Sequence, residues 1–282
     1  MKHKATYRIF AIAVLFALIV IQFISSSQIH TSHGKLSYAS SAQFLSANVD
    51  SEIINFSSRE DEYYNVPNDV PLYYQMSTLA NSCGPTAGAM IIGYYDKYYE
   101  ELIPNYTSYF PATGNYKGTD GNHISTLTEN LYVLMRTNID DVGVGETDCL
   151  NGLKAYVNNK GRTLKYETVK DKSTISESAY LQAINQNRPI ILFGGVTDIY
   201  LFSSSSDHDI FVKSTVSGNH IYVGFGYYRV RYYSNGTNFR TDTYLRVACG
   251  LVGYLDAFIR VSSTTSSITN DWFINGYSVS IT

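Results

Sequence analysis

The stretch Asn81-Ser82-Cys83-Gly84-Pro85-Thr86-Ala87-Gly88-Ala89-Met90-Ile91-Ile92-Gly93-Tyr94-Tyr95-Asp96 constrains this chain more than any other. It begins as a polar turn and runs into residues that are nearly all small or apolar. Such a segment reads as a helix buried on most sides, so the rest of the chain must build a core around it. Pro85 suits the first turn, where a missing N–H costs nothing. Gly84, Ala87, Gly88 and Ala89 let a neighbouring element approach closely. Cys83 stands where turn becomes helix, and the free N–H groups of a first turn favour a thiolate. A nucleophile on the tip of a buried helix is also held rigidly, as catalysis requires. The helix is expected to run to about Glu101, with Pro104 marking its end.

The N-terminus carries an address. Lys2, Lys4 and Arg8 precede an apolar run from Ile9 to Ile24, broken only by Gln22, and Ser25 to Ser27 follow. A basic stretch, an apolar stretch and small polar residues make residues 1–27 a signal peptide or an N-terminal membrane anchor. The expected location is therefore secreted, extracellular or at the cell surface. Membrane contact is expected only through residues 9–24, where these are retained. Without the three basic residues the formal charge moves from −3 to −6. A mildly acidic chain with no basic tract gives no footing for nucleic acid. Three cysteines, Cys83, Cys149 and Cys249, follow the segment. The last two are either a disulfide pair or small buried hydrophobes.

Residues 28–67 are rich in Ser, Asn and acids, and read as a polar spacer or short pro-region. A single domain is then expected over 68–282. Helices are expected at 125–135 and 149–157, the second stopped by Gly161. A third is expected at 174–185, opened by a Thr174/Glu177 capping box. Leu164–Val169 and Pro189–Phe193 read as strands. The segments 105–122 and 196–218 read as polar loops bordering a cleft. Strands are expected at 220–228, 243–249, 255–261 and 272–280, with a turn at Asn235-Gly236. Helices first and strands second make an α+β layout: an N-terminal helical half packed on a C-terminal antiparallel sheet.

A thiol nucleophile needs a base to share its proton and donors for the anion that develops on the substrate. His220 enters an apolar strand from a polar loop, a position rigid on one side and open on the other. His208, between Asp207 and Asp209, is the other candidate base, and that trio could also hold a metal. His123 reads as a solvated or substrate-side residue. Gln75 is the first choice of side-chain anion donor beside the N–H of Cys83. Asn81 is the second, and also suits a helix cap. The residue that orients His220 is sought among Asn235, Asn238, Asp242, Asp256 and Asn270, with Asp256 preferred for its place beside a strand. The chemistry needs no metal or organic cofactor.

Val70-Pro71-Leu72-Tyr73-Tyr74-Gln75, then Cys83-Gly84-Pro85-Thr86, then Asn219-His220 opening a glycine-containing strand resemble the C39-like cysteine peptidases of the papain-like superfamily. The resemblance covers about residues 68–262, and His220 follows Cys83 at a separation of 137 residues, within the papain-like range. It implies a papain-like peptidase fold and hydrolysis of peptide bonds through a thiolate–imidazolium pair and an acyl-enzyme. Cys83 would be nucleophile, His220 base and acid, and Gln75 oxyanion donor, with a polypeptide or peptide-like substrate. The same chemistry would serve an amidase or acyltransferase on cell-wall peptides, and a catalytically silent surface binding module is the remaining alternative. One departure stands out. Where such enzymes carry an Asn or Asp after the next strand, this chain has Ala248 and Cys249.

Overall fold

The computed structural model describes residues 50–67, 70–106, 121–139 and 141–282. The expected export segment, the first part of the expected spacer and most of the loop 105–122 lie outside them. The architecture is mixed, with four α-helices and a large antiparallel sheet among the described residues. The helices are α1 (Cys83–Asp96), α2 (Gly121–Leu134), α3 (Glu146–Asn159) and α4 (Glu177–Asn185). In chain order the strands are β1 (Asp50–Asn55), β2 (Ser58–Asn65), β3 (Leu164–Thr168), β4 (Lys170–Asp171), β5 (Thr174–Ile175) and β6 (Ile190–Gly194). They continue as β7 (Thr197–Ser204), β8 (His208–Val216), β9 (His220–Ser234), β10 (Thr237–Leu251), β11 (Tyr254–Ser263) and β12 (Phe273–Ile281). The sheet runs β1-β8-β7-β11-β10-β9-β6-β12-β3, and β2 adds to β9; β4 and β5 form a separate hairpin.

This layout corrects the expected division into helical and sheet halves. β1 and β2 precede α1, and α4 lies between strands. Residues 50–65, within the expected spacer, are sheet: β1 pairs with β8 and β2 with β9. At the corner between them, the Phe56 N–H donates to the Asp207 carbonyl and the Ser57 N–H to that of Tyr233. One bent segment thus joins β8 to β9, and β9, β10, β11, β7, β8 and β1/β2 close into a barrel. Its interior holds Tyr228, Val230, Tyr232, Tyr244, Phe211 and Tyr200. The expected loop 196–218 is mostly β7 and β8, two walls of that barrel.

The barrel interior also holds charge, which closure makes affordable only in pairs. Asp242 is wholly buried between Arg240 and Arg260, and both arginines also reach Glu52. At a second point Asp209, equally buried, accepts from Arg59 and from the Tyr232 hydroxyl. Glu60 and Glu62 on β2 meet Arg231 and Arg229 of β9 on the outer face.

The larger core surrounds α1, whose residues from Gly84 to Asp96 are all buried. α1 ends at Asp96, short of the expected Glu101. The Asp96 Oδ1 accepts from the Ile103 N–H at 2.8 Å and folds the chain back. The Tyr95 hydroxyl donates to the Val279 carbonyl at 2.7 Å, tying the helix to β12. α4 begins at Glu177 and is capped by Ser176, whose Oγ accepts from the Ala179 N–H at 3.3 Å. Thr174 belongs to β5, so the expected capping box does not form. Asn235 and Gly236 both have positive φ and turn β9 into β10, as their sequence suggested. Gly161, also at positive φ, follows α3. Cys83, Cys149 and Cys249 are all free thiols.

Candidate active site

Cys83 is the first residue of α1, and the site is built by what that helix end touches. Gly84 permits the approach. A Cβ there would clash with Val144 and lie 3.3 Å from Ile221 Cδ1 and 3.6 Å from Cys149 Sγ. The helix therefore meets β9 at its first turns, next to His220. The backbone N–H groups of Ile221, the residue after His220, and of Gly84 and Cys83 itself favour the thiolate form of the Cys83 sulfur. Cys83 remains partly exposed, whereas His220 is only 3% exposed. The fold thus brings the sulfur to the start of the strand that carries the imidazole.

Burial dominates the electrostatics of both groups. It pushes the Cys83 thiol above its ordinary value, against the pull of the three N–H groups. It pushes His220 down to about 4, opposed by the hydrogen bond to the Cys249 carbonyl. Both shifts favour the uncharged forms, thiol and neutral imidazole. The N–H groups at the helix N-terminus oppose the shift of the thiol without reversing it, because taking an ion out of water costs more than they return.

The His220 ring is held on two sides. Its Nε2 lies 2.7 Å from the Cys249 carbonyl oxygen. It also packs edge-to-face with the Tyr222 ring, at a centroid distance of 4.7 Å and an interplanar angle of 73°. A carbonyl can only accept, so Nε2 carries the proton and Nδ1 is the nitrogen with a free lone pair.

Gln75 reaches the same place through its backbone. Its N–H donates to the Gly250 carbonyl at 2.9 Å, and its Cγ lies 3.6 Å from where a Gly250 Cβ would stand. Asp256 is elsewhere engaged. Arg246 grips it with Nε at 2.9 Å and Nη2 at 2.5 Å, while the bond on His220 comes from Cys249. Asn81 neither caps α1 nor faces the thiol, for its amide donates to Asn138 Oδ1 at 2.5 Å. Asp242 sits in the barrel, and Asn238 donates to the Tyr232 and Arg240 carbonyls. His208 is a surface residue bonded to Asp207 and Ser205, while its neighbour Asp209 points into the barrel, so the trio does not converge. His123 is exposed, with its ring 5.8 Å from that of Tyr106.

The group that sequence reasoning missed is the carbonyl on His220, since a backbone atom leaves no residue-type signal. Its one trace was Cys249-Gly250, a glycine interrupting a strand where a bulge is to be suspected.

Residues 67–249 match the model of the Peptidase_C39 like family. This chain belongs to that family. No curated protein and no solved structure matches it. The matched span begins just after β2 and ends at Cys249. It therefore includes α1, His220 and Gln75, and leaves β1 and β2 outside. The barrel's closing segment lies outside the matched span.

Proposed function

We propose that this chain is an exported cysteine peptidase that cleaves polypeptides through Cys83 and His220. The observation that carries the reading is the packing of the first turn of α1, which Cys83 opens, against Ile221, the residue after His220, in a member of a peptidase family. A papain-like arrangement is the natural reading of a helix-borne thiol against a strand-borne imidazole.

The reaction starts from the neutral pair. As the sulfur attacks the substrate carbonyl, His220 takes its proton at Nδ1, so charge develops only when the substrate is in place. The Cys83 N–H and the Gln75 carboxamide donate to the tetrahedral oxyanion. His220 then gives its proton to the leaving amine as the C–N bond breaks, leaving a thioester on Cys83. Water, deprotonated by His220, attacks the thioester and releases the acid and the thiol. An amine in place of water would make the same site an acyltransferase.

The full chain and its Cys83→Ala variant, incubated with a proteome-derived peptide library under reducing conditions, test this reading. New peptide termini are expected with the wild type and not with the variant. Equal cleavage by both, or by neither, overturns it, and transfer of the acyl group to added amines would reassign the product.

A further inference from the structure

β10 does not run evenly to its end. Ala248 pairs with Asp256 of β11 and Leu251 with Tyr254, so β10 gains a residue on its neighbour between these points. The extra length is taken up at Cys249 and Gly250, with Gly250 at φ +70. This is a β-bulge closed by a glycine in the left-handed region, a device that re-aims backbone groups. On the other side, the pairing of β10 with β9 ends at Ala248 and Val223. Both carbonyls of the bulge are therefore released from the ladder.

Each released carbonyl meets a different part of the site. That of Cys249 accepts from His220 Nε2, and that of Gly250 accepts from the Gln75 N–H. The bulge also rests on α1. A Cβ at Gly250 would stand 3.2 Å from Thr86 Cγ2, one turn beyond Cys83, and 3.4 Å from the Tyr73 carbonyl. Base, anion donor and nucleophile helix are thus gauged against one two-residue feature.

We propose that the Cys249–Gly250 bulge is the positioning element of this site, and that its Cys249 carbonyl replaces the side chain that would orient His220. This rests on the Cys83–His220 reading. A carbonyl fixes the ring as the Nε2–H tautomer and points Nδ1 away from itself, which is the orienting half of a third residue's work. It carries no charge, so it supplies little of the other half, the stabilising of an imidazolium. Ala248 and Cys249 can stand where a polar side chain is expected because the backbone acts in its place. Glycine at 250 is required twice, by its φ and by the nearness of Thr86.

The test reads the ring directly. In the full chain with ¹⁵N-labelled histidine, His220 is assigned by its loss in His220→Gln, and its ring-nitrogen shifts are followed with pH. A protonated Nε2 and a bare Nδ1 at pH 7 are expected. Gly250→Ala is expected to average the two nitrogens and to lower kcat at least tenfold on a peptide cleaved by the wild type, with KM within about threefold. A wild-type ring that is Nδ1-protonated or averaged at pH 7 overturns the proposal, whether or not the variant folds. So does a folded Gly250→Ala protein with wild-type shifts and kcat. The shifts need no turnover, so a chain that shows the expected tautomer but cleaves nothing would refute the peptidase reading and leave the bulge's hold on His220 intact.

Discussion

At the scale of single residues, the proposed chemistry turns on two groups that burial pushes toward their neutral forms. Cys83 loses more by leaving water than it gains from the nearby N–H groups, and the hydrogen-bond partner of His220, the Cys249 carbonyl, carries no charge. The reactivity of the thiol should report this. Its alkylation rate with iodoacetamide is expected to climb about tenfold per pH unit from pH 6 to 8, following the rare thiolate. A preformed ion pair would instead give a plateau across that range, and would show that the substrate-free site already separates charge. Asp256 supplies a second check. Its carboxylate is committed to Arg246. Asp256→Asn should therefore change kcat/KM by less than about threefold, whereas loss of the residue that holds a catalytic imidazole costs about 10⁴-fold in the serine analogue. Steady-state kinetics on any cleaved peptide separates the two.

Among elements, α1 was the most legible and its end the least. Its small and apolar residues announced burial on every side, and every residue after Cys83 is buried. The stop at Asp96 was hidden because an aspartate at a helix end looks solvated in sequence. Here it is 5% exposed, and burial raises its carboxyl to about 7 against the pull of the Ile103 N–H. The sign of the consequence follows. Between the ordinary value of 3.8 and about 7, the folded protein holds a proton that the unfolded chain has lost. This group's contribution is present at low pH and declines as pH rises through that window. Asp96→Asn keeps an acceptor for Ile103 and removes the titration. Urea unfolding should show the variant close to wild type at pH 4.5 and more stable at pH 7.5, the gap opening by about 3 kcal/mol. A gap independent of pH would mean that the carboxyl does not titrate in this range. α4 gives a similar lesson in miniature. Thr174 had the right spacing from Glu177, but β4 and β5 claim it for their hairpin, and Ser176 two residues on makes the cap.

For the whole molecule, the candidate site residues stood out in the sequence and the barrel beside them did not. Cys83, His220 and Gln75 lie at junctions of polar and apolar sequence, and such junctions survive reading without coordinates. β2 reads Ser-Arg-Glu-Asp-Glu-Tyr-Tyr-Asn and has no apolar face, since it pairs through its charges: Arg59 with Asp209 inside, Glu60 and Glu62 with arginines of β9 outside. β8 hides its inward face in the same way, by placing Asp209 among apolar residues. A stretch that resembles a disposable spacer therefore closes the barrel, and the two readings predict opposite results for its removal. A chain starting at Val66 would leave Asp209 without Arg59, and Arg240 and Arg260 without Glu52. It would also strip the outer edges from β8 and β9. An unpaired buried charge costs about 3–5 kcal/mol, and domains of this kind are stable by only about 5–15 kcal/mol. The shortened chain should lose its cooperative thermal transition and its solubility, while a chain starting at Asp50 keeps both. A pro-region would behave otherwise, its removal leaving a folded and more active enzyme. Because β9 and β10 carry the barrel at one end and His220 and the Cys249–Gly250 bulge at the other, failure of the barrel should reach the site through those two strands. The ¹⁵N shifts of His220 in the shortened chain, where any of it remains folded, should lose the single Nε2–H tautomer along with the thermal transition.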